Sequence, residues 1–293
     1  MRIGFIGLGT MGRPMALNLI GHGYELIIYA RRAASLAPLV KQGATTAKTP
    51  EELATECDAV FTMLTGTTDV EAVVLGENGI VRGARPGTTV IDTSTIHPAR
   101  ARVIGEQLAV AGVDFLDAPV SGGPHGAAEA TLSIMVGGKI DALERVRPLF
   151  KCIGTKILHM GDQGAGQATK ACHQLLLLVT AQGVAESLTL ARRAGLDLER
   201  VQQAMMGGMA SSRVLEVFGD RMVRRDFSAG IESRLYHKDL DIVLQLAHTL
   251  GVALPAGAVT MQFINGLHGL GHDANDLSSL ITLVEQMGVN AKV

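Results

Sequence analysis

The sequence is short of several things. Aromatic residues make up 3% of it and charged residues 18%, and 26 basic residues stand against 28 acidic ones. No basic stripe is visible, which argues against nucleic acid as a partner. Cysteine is scarce: Cys57, Cys152 and Cys172 are scattered, with no CxxC pair and no metal-ligand spacing. That pattern fits reduced thiols in a reducing compartment and no metal site, and Cys172 is read as a packing residue. Long apolar runs are missing too. The longest aliphatic one, residues 175–179, falls far short of the roughly 20 residues of a membrane span. At the N-terminus, glycines and Arg13 interrupt the apolar stretch too early for a signal-peptide core. A cytoplasmic protein with no membrane partner is expected.

What the chain has is glycine, 35 in 293 residues, and 47% hydrophobic content. Both suit a well-buried α/β protein of one large or two medium domains, with many tight turns.

Residues 2–6 form a short apolar run that breaks at Gly7, Leu8, Gly9, Thr10, Met11 and Gly12. A helical pattern follows to Gly21, then a second apolar run over 25–29. A GxGxxG string is weak alone, but strand, glycine loop, helix and strand is the context that it needs. Gly7 allows the tight turn, Gly9 lets a pyrophosphate approach the backbone, and Gly12 lets helix and strand pack closely. The phosphates then meet a helix N-terminus. An NAD site places an acid near the end of the second strand. Here Ala30, Arg31 and Arg32 stand instead. Two guanidiniums suit a 2′-phosphate, so NADPH is expected over NADH; solvated surface arginines remain the alternative.

Further strands are expected over 58–64, 88–92, 113–117, 132–136 and 156–159, with helices over 98–111 and 141–150. The strand ends lead into polar loops. Thr65, Gly66 and Thr67 form one, just after Met63 and Leu64, and another runs from Thr93 through Thr95 to Pro98. Ligands bind at such carboxyl ends in parallel sheets. After 113–117 come Ser121, Gly122 and Gly123. That loop can present consecutive backbone N–H groups to an anion, or can be an ordinary turn.

Residues 164–195 read as one long helix: glycines flank it, no proline interrupts it, and Arg192 and Arg193 suit its last turn. About 28 residues give a rod of about 42 Å. Apolar residues lie on nearly every face, as in a helix buried on most sides. Lys170, His173 and Gln174 sit at i, i+3 and i+4, on one face of its first turns. They form a polar cluster at a buried helix start, or a partly exposed turn whose lysine reaches water. After it only helical patterns appear, near 198–206, 211–223, 236–250, 255–269 and 276–287. The expected domains are residues 1–162 and an all-α domain over 163–293. Lys238 and Asp239, at a helix start, read by themselves as a solvated charged turn.

Together these stretches resemble the β-hydroxyacid dehydrogenases, the group that includes 3-hydroxyisobutyrate dehydrogenase, tartronate semialdehyde reductase and the glyoxylate and succinic semialdehyde reductases. The matching pieces are GFIGLGTMGRPMA (4–16), DTSTIHP (92–98), DAPVSGGPHGAAEATLSIMVGG (117–138), GAGQATKACHQ (164–174) and HKDLDI (237–242). The segment TLSIMVGG (131–138) is nearest the tartronate semialdehyde reductase subgroup. The resemblance implies a Rossmann-type doubly wound sheet followed by an all-α domain built on a long interdomain helix. It implies that the first glycine loop, Arg31, Thr95 and Lys238 meet the cofactor. It also implies that Ser121, Gly122 and Gly123 hold a substrate carboxylate, with Thr95 beside the substrate, and that Lys170 is the catalytic acid/base. Where the family has Asn, four residues after the lysine, this chain has Gln174, with His173 before it. The amide keeps its donor and acceptor but reaches one methylene further. Thr65 replaces the family's proline after the third strand.

The implied reaction moves a hydride from nicotinamide to the carbonyl of a small semialdehyde, giving a hydroxyacid. Lys170 gives the proton and stabilises the oxyanion. Burial favours the neutral amine and so eases the transfer. No metal is required, and a homodimer or homotetramer is implied. Other readings are 6-phosphogluconate dehydrogenase, for which the chain is short and lacks an evident sugar-phosphate cluster, and a non-catalytic dinucleotide-binding scaffold.

Overall fold

The computed structural model describes residues 1–287. The last residues of the expected helical domain, 288–293, lie outside them. The chain divides into two compact units, one ending at Lys170 and one beginning at Ala171.

In the first unit the elements are β1 (Arg2–Ile6), α1 (Gly12–Gly21), β2 (Glu25–Tyr29), α2 (Ala37–Val40), β3 (Thr45–Thr46), α3 (Pro50–Thr55) and β4 (Ala59–Thr62). There follow α4 (Thr67–Leu75), α5 (Ile80–Gly83), β5 (Thr89–Asp92), α6 (Pro98–Val110), β6 (Asp114–Asp117) and β7 (Val120–Ser121). The unit ends with α7 (Gly123–Ala128), β8 (Leu132–Gly137), α8 (Ile140–Lys151), β9 (Gly154–Gly161) and the start of α9 (Ala165–Arg193).

The strands form one sheet, ordered β3-β2-β1-β4-β5-β6-β8-β7, with β9 paired to β8. The six strands from β3 to β6 are parallel, β8 runs antiparallel to β6 and β7, and β9 is parallel to β8. The parallel part has the doubly wound order, and its ligand crevice lies where the order reverses, between β1 and β4. The central strands of the sheet are buried on both faces, which is why they read as continuous apolar runs. On one face Ile3, Phe5, Phe61, Ile91 and Leu116 pack with Met15 and Leu19 of α1 and with Leu143, Val146 and Phe150 of α8. The rings of Phe5 and Phe61 stack at 5.6 Å, and Phe150 meets Phe61 edge-on at 6.2 Å. On the other face Ile6, Val60, Val90 and Phe115 pack with Leu53 of α3, Val70 and Val74 of α4 and Ile104 and Leu108 of α6.

This register sets the site. Ile6 pairs with Thr62, Thr62 with Asp92, and Asp92 with Asp117. The carboxyl ends of β1, β4, β5 and β6 therefore stand side by side, and the loops that leave them are neighbours.

The second unit contains the rest of α9, then α10 (Leu198–Met206), α11 (Asp220–Arg224), α12 (Ser233–Leu250), α13 (Pro255–Gly269) and α14 (Leu280–Met287). No strand occurs in it among the described residues. A π-helical turn, Leu215–Gly219, leads into α11. Leu178, Ala181, Ala185 and Leu188 of α9 pack with Phe218, Tyr236, Leu240, Ile264, Leu267 and Leu280.

The long helix is less buried than its composition suggests. Leu176 and Leu190 are 71% and 72% exposed. Cys172 is exposed as well, which corrects its reading as a packing residue. The buried stripe of α9 runs through Ala171, Leu178, Ala181, Ala185 and Leu188, and Cys172 falls off it. Among the described helices α9 alone has the length and composition of a membrane span, with 44% of that window buried in the protein.

Candidate active site

In the first unit the glycine loop joins β1 to α1. Gly7 has φ +99°, and a Cβ on it would lie 2.1 Å from the Met63 carbonyl oxygen; one on Gly12 would lie 1.9 Å from the Gly7 carbonyl oxygen. No side chain fits at either place. A Cβ on Gly9 would meet nothing within 4 Å, so this backbone faces open space. Helix α1 has no side-chain cap and no acidic residue in its first turn. Its leading N–H groups and dipole suit a phosphate. A dinucleotide pyrophosphate thus fits the cradle of Gly7, Leu8, Gly9, Thr10, Met11 and Gly12.

Beyond β2, the Arg31 side chain is 79% exposed and lies 3.5 Å from the Asp69 carboxylate of α4. Arg32 is exposed beside it. After β4, Met63 N–H donates to Ile6 O at 2.9 Å and Leu64 N–H to the Ser94 hydroxyl at 2.8 Å. Thr65 is exposed.

The loop after β5 hangs from buried polar groups. Asp92 accepts from the hydroxyls of Thr62 at 2.8 Å and Ser94 at 2.6 Å. Thr93 donates to Thr62 O at 2.7 Å, and Thr95 follows, half-buried. After β6 the sequence reads as a loop, and the structure corrects this. Ser121 ends β7, whose Val120 pairs with Ile134, and Gly123 opens α7. Elements this short leave no periodicity to read. Gly122 and Gly123 have φ +142° and +63°, and a Cβ on Gly123 would meet nothing within 4 Å.

Lys170 is 6% exposed, and its Nζ donates to the Val120 carbonyl oxygen at 2.8 Å. The alternative of a lysine reaching out to water is thereby removed. The structure brings Lys170 to β7, next to Ser121.

In the second unit α9 and α12 share a side-chain chain. The Gln174 Nε2 donates to Asp239 Oδ2 at 2.5 Å, and His173 Nδ1 lies 2.9 Å from Gln174 Oε1. The carboxylate only accepts, so it fixes which end of the amide is nitrogen. The amide oxygen in turn only accepts, so His173 Nδ1 carries the hydrogen of this bond. Lys238 Nζ lies 2.8 Å from Asp239 Oδ1. The structure also corrects the expectation of a solvated Lys238–Asp239 turn: Asp239 is 8% exposed. It shares the inward face of α12 with Tyr236, Leu240 and Val243. That apolar spacing in the sequence was the signal that could have found it. Asp92, Asp117 and Gln167, also buried, lie inside the stretches 92–98, 117–138 and 164–174 that carry the resemblance, which assigns them no role.

Among the described residues no group of three or more His, Cys, Asp or Glu side chains is arranged to hold a metal ion.

Residues 2–161 match the family described as the NAD-binding domain of 6-phosphogluconate dehydrogenase. Residues 164–284 match the NAD-binding family of NADP-dependent 3-hydroxyisobutyrate dehydrogenase. The chain is 41% identical to 2-hydroxy-3-oxopropionate reductase of Escherichia coli (strain K12), over 98% of each chain. It is 36% identical to the NAD-dependent L-serine dehydrogenase of Pseudomonas aeruginosa, over 94% of this chain and 95% of that one. Among solved structures it resembles 3-hydroxyisobutyrate dehydrogenase of Mycobacterium tuberculosis with L-serine, with TM-score 0.88 and 31% identity, over 97% of this chain and 99% of that one. With such likeness along nearly its whole length, the chain belongs to the 3-hydroxyisobutyrate dehydrogenase-like family, the NAD(P)-dependent β-hydroxyacid dehydrogenases.

Proposed function

We propose that this enzyme reduces tartronate semialdehyde (2-hydroxy-3-oxopropionate) with NADPH, and that Lys170 is the proton donor. The observation that carries the reading is the buried Lys170 side chain, whose Nζ donates to Val120 O beside Ser121. The substrate assignment is supported by the 41% identity to the E. coli reductase.

Bound nicotinamide supplies the hydride. Residues 1–162 bind the cofactor, and the helical domain begins at residue 163. The first glycine loop takes the pyrophosphate; Met63, Leu64, Thr65, Thr95 and Lys238 complete the cofactor contacts. Arg31 and Arg32 attract the 2′-phosphate. Ser121, Gly122 and Gly123 hold the substrate carboxylate, with Thr95 beside it, and this directs the carbonyl oxygen to Lys170. The lysine protonates that oxygen, and its charge stabilises the oxyanion as it develops. Gln174, helped by His173, orients the lysine from one turn further along α9.

A second reading, another β-hydroxyacid such as 3-hydroxyisobutyrate or a serine-like substrate, is favoured by the likeness to the M. tuberculosis enzyme with L-serine. The exposed Leu176 and Leu190 on α9 support assembly as a homodimer or homotetramer, which light scattering tests. The free thiols support a cytoplasmic location.

The functional test is a panel of tartronate, glyoxylate, succinic and methylmalonate semialdehydes, with NADPH and NADH, and of 3-hydroxyisobutyrate and L-serine with the oxidised cofactors. The highest kcat/KM is expected for tartronate semialdehyde with NADPH. A higher value for another pair reassigns the substrate, and no turnover at all leaves a binding scaffold.

A further inference from the structure

The lysine-bearing end of α9 is held by a buried carboxylate from a distant strand. Asp117 ends β6 and is fully buried. Its Oδ1 accepts from Gly164 N–H at 2.7 Å and its Oδ2 from Gln167 N–H at 2.8 Å. The first N–H groups of a helix have no partner within it, and a cap normally comes from an adjacent residue. Here the cap comes from 47 and 50 residues away, and its charge suits the helix dipole. The seat is tight: a Cβ on Gly166 would lie 2.3 Å from Asp117 O and 2.4 Å from Met135 O.

Gln167 adds a second tie. Its Oε1 accepts from Ile96 N–H at 3.0 Å, and its Nε2 donates to Ser94 O at 2.7 Å. These bonds grip the loop that carries Thr95. Lys170 follows Gln167 by one turn on the same face and reaches Val120 O. Successive turns of α9 are thus tied to the ends of β6, β5 and β7, which fixes the helix start in both translation and rotation.

We propose that Asp117, aided by Gln167, is a positioning residue for Lys170. It seats the start of α9 so that the ammonium arrives beside Ser121 at the height that proton transfer needs. The inference rests on the reading of Lys170 as proton donor. A donor misplaced by about 1 Å can cost about 10²-fold in rate.

A purely structural anchor is distinguishable. Burial pushes the Asp117 carboxyl up to about 6 from 3.8; its backbone hydrogen bonds pull it down, and the charge of Asp92, its partner on β5, pushes it up. Between these values the folded chain keeps a proton that the unfolded chain has released. The stability from this group is complete below 3.8 and is lost as pH rises through about 6. At neutral pH the ionised carboxylate therefore costs stability.

The test is Asp117→Asn, which keeps the shape and one acceptor oxygen but turns an NH2 toward a backbone N–H. We expect kcat to fall about 10- to 100-fold with NADPH affinity unchanged, measured well below the melting temperature of the variant. We also expect the acid limb of the wild-type kcat profile, with its midpoint near 6, to be absent from the variant. Gln167→Glu, which keeps the acceptor for Ile96 but sets an anion against Ser94 O, should lower kcat in the same way. If Asp117→Asn does not fold, Gln167→Glu carries the test. A wild-type kcat and pH profile overturns the inference, and so does a loss matched by equal losses of stability and NADPH binding. Lys170→Ala separates the two claims. If it keeps full kcat, the proton-donor reading fails; if it loses kcat while Asp117→Asn does not, only the positioning inference fails.

Discussion

Helix α9 carries two polar clusters built from different kinds of bond. In the first unit the partners are mostly main chain: Asp117 takes Gly164 N–H and Gln167 N–H, Gln167 takes Ile96 N–H and Ser94 O, and Lys170 takes Val120 O. In the second unit the bonds described run between side chains, from His173 to Gln174 to Asp239 to Lys238. Main-chain partners come with the fold and survive substitution. Side-chain partners can be replaced one at a time. The first cluster is therefore preset by the sheet, and the second is the part that substitution can tune.

Substitutions can break or sharpen this contrast. The largest effect belongs to Lys170→Arg. It keeps the charge but removes the titratable amine, so kcat should fall about 10²–10⁴-fold with NADPH affinity intact, read by steady-state kinetics and cofactor titration. Next is Gln174→Ala. It leaves Asp239 Oδ2 buried without this donor, at a cost of about 1–3 kcal/mol in unfolding free energy, with a smaller fall in kcat than at Lys170. Gln174→Asn, which restores the amide at shorter reach, should recover part of both. An equal loss for both Gln174 variants would make reach the deciding factor.

Arg31→Ala should lower kcat/KM for NADPH about tenfold and leave NADH nearly unchanged, because an exposed charge-assisted contact is lost for one cofactor only. Asp69→Asn should act in the opposite direction, since the Asp69 carboxylate competes with a 2′-phosphate for Arg31. Parallel changes for both cofactors would sink the arginine assignment. The smallest effect is expected from His173→Ala, worth less than about 1 kcal/mol in transition-state stabilisation, because its bond to Gln174 Oε1 is at one remove from Lys170.

Much of the frame is legible in the sequence. The long helix, the strand–glycine–helix unit and the all-helical second half rest on periodicity and on glycine punctuation over many residues. What was lost was short or distant. Thr45–Thr46 and Val120–Ser121 are two-residue strands, and no period can be read in two residues. Asp117 stands in the sequence as a strand end and as the first residue of DAPVSGG, with nothing to mark its partners 47 and 50 positions on. Asp239 read as a solvated charge beside Lys238, although the apolar spacing of α12 turns it inward. Cys172 failed in the opposite sense: an apolar neighbourhood in sequence hid an outward position on the helix.

The most direct test of the account is kcat of Lys170→Ala at saturating tartronate semialdehyde and NADPH, with cofactor binding measured on the same sample. The account predicts full NADPH binding and a kcat reduced by at least about 10². Retention of more than about a tenth of the wild-type kcat, less than the smallest loss expected of a missing general acid, would contradict it.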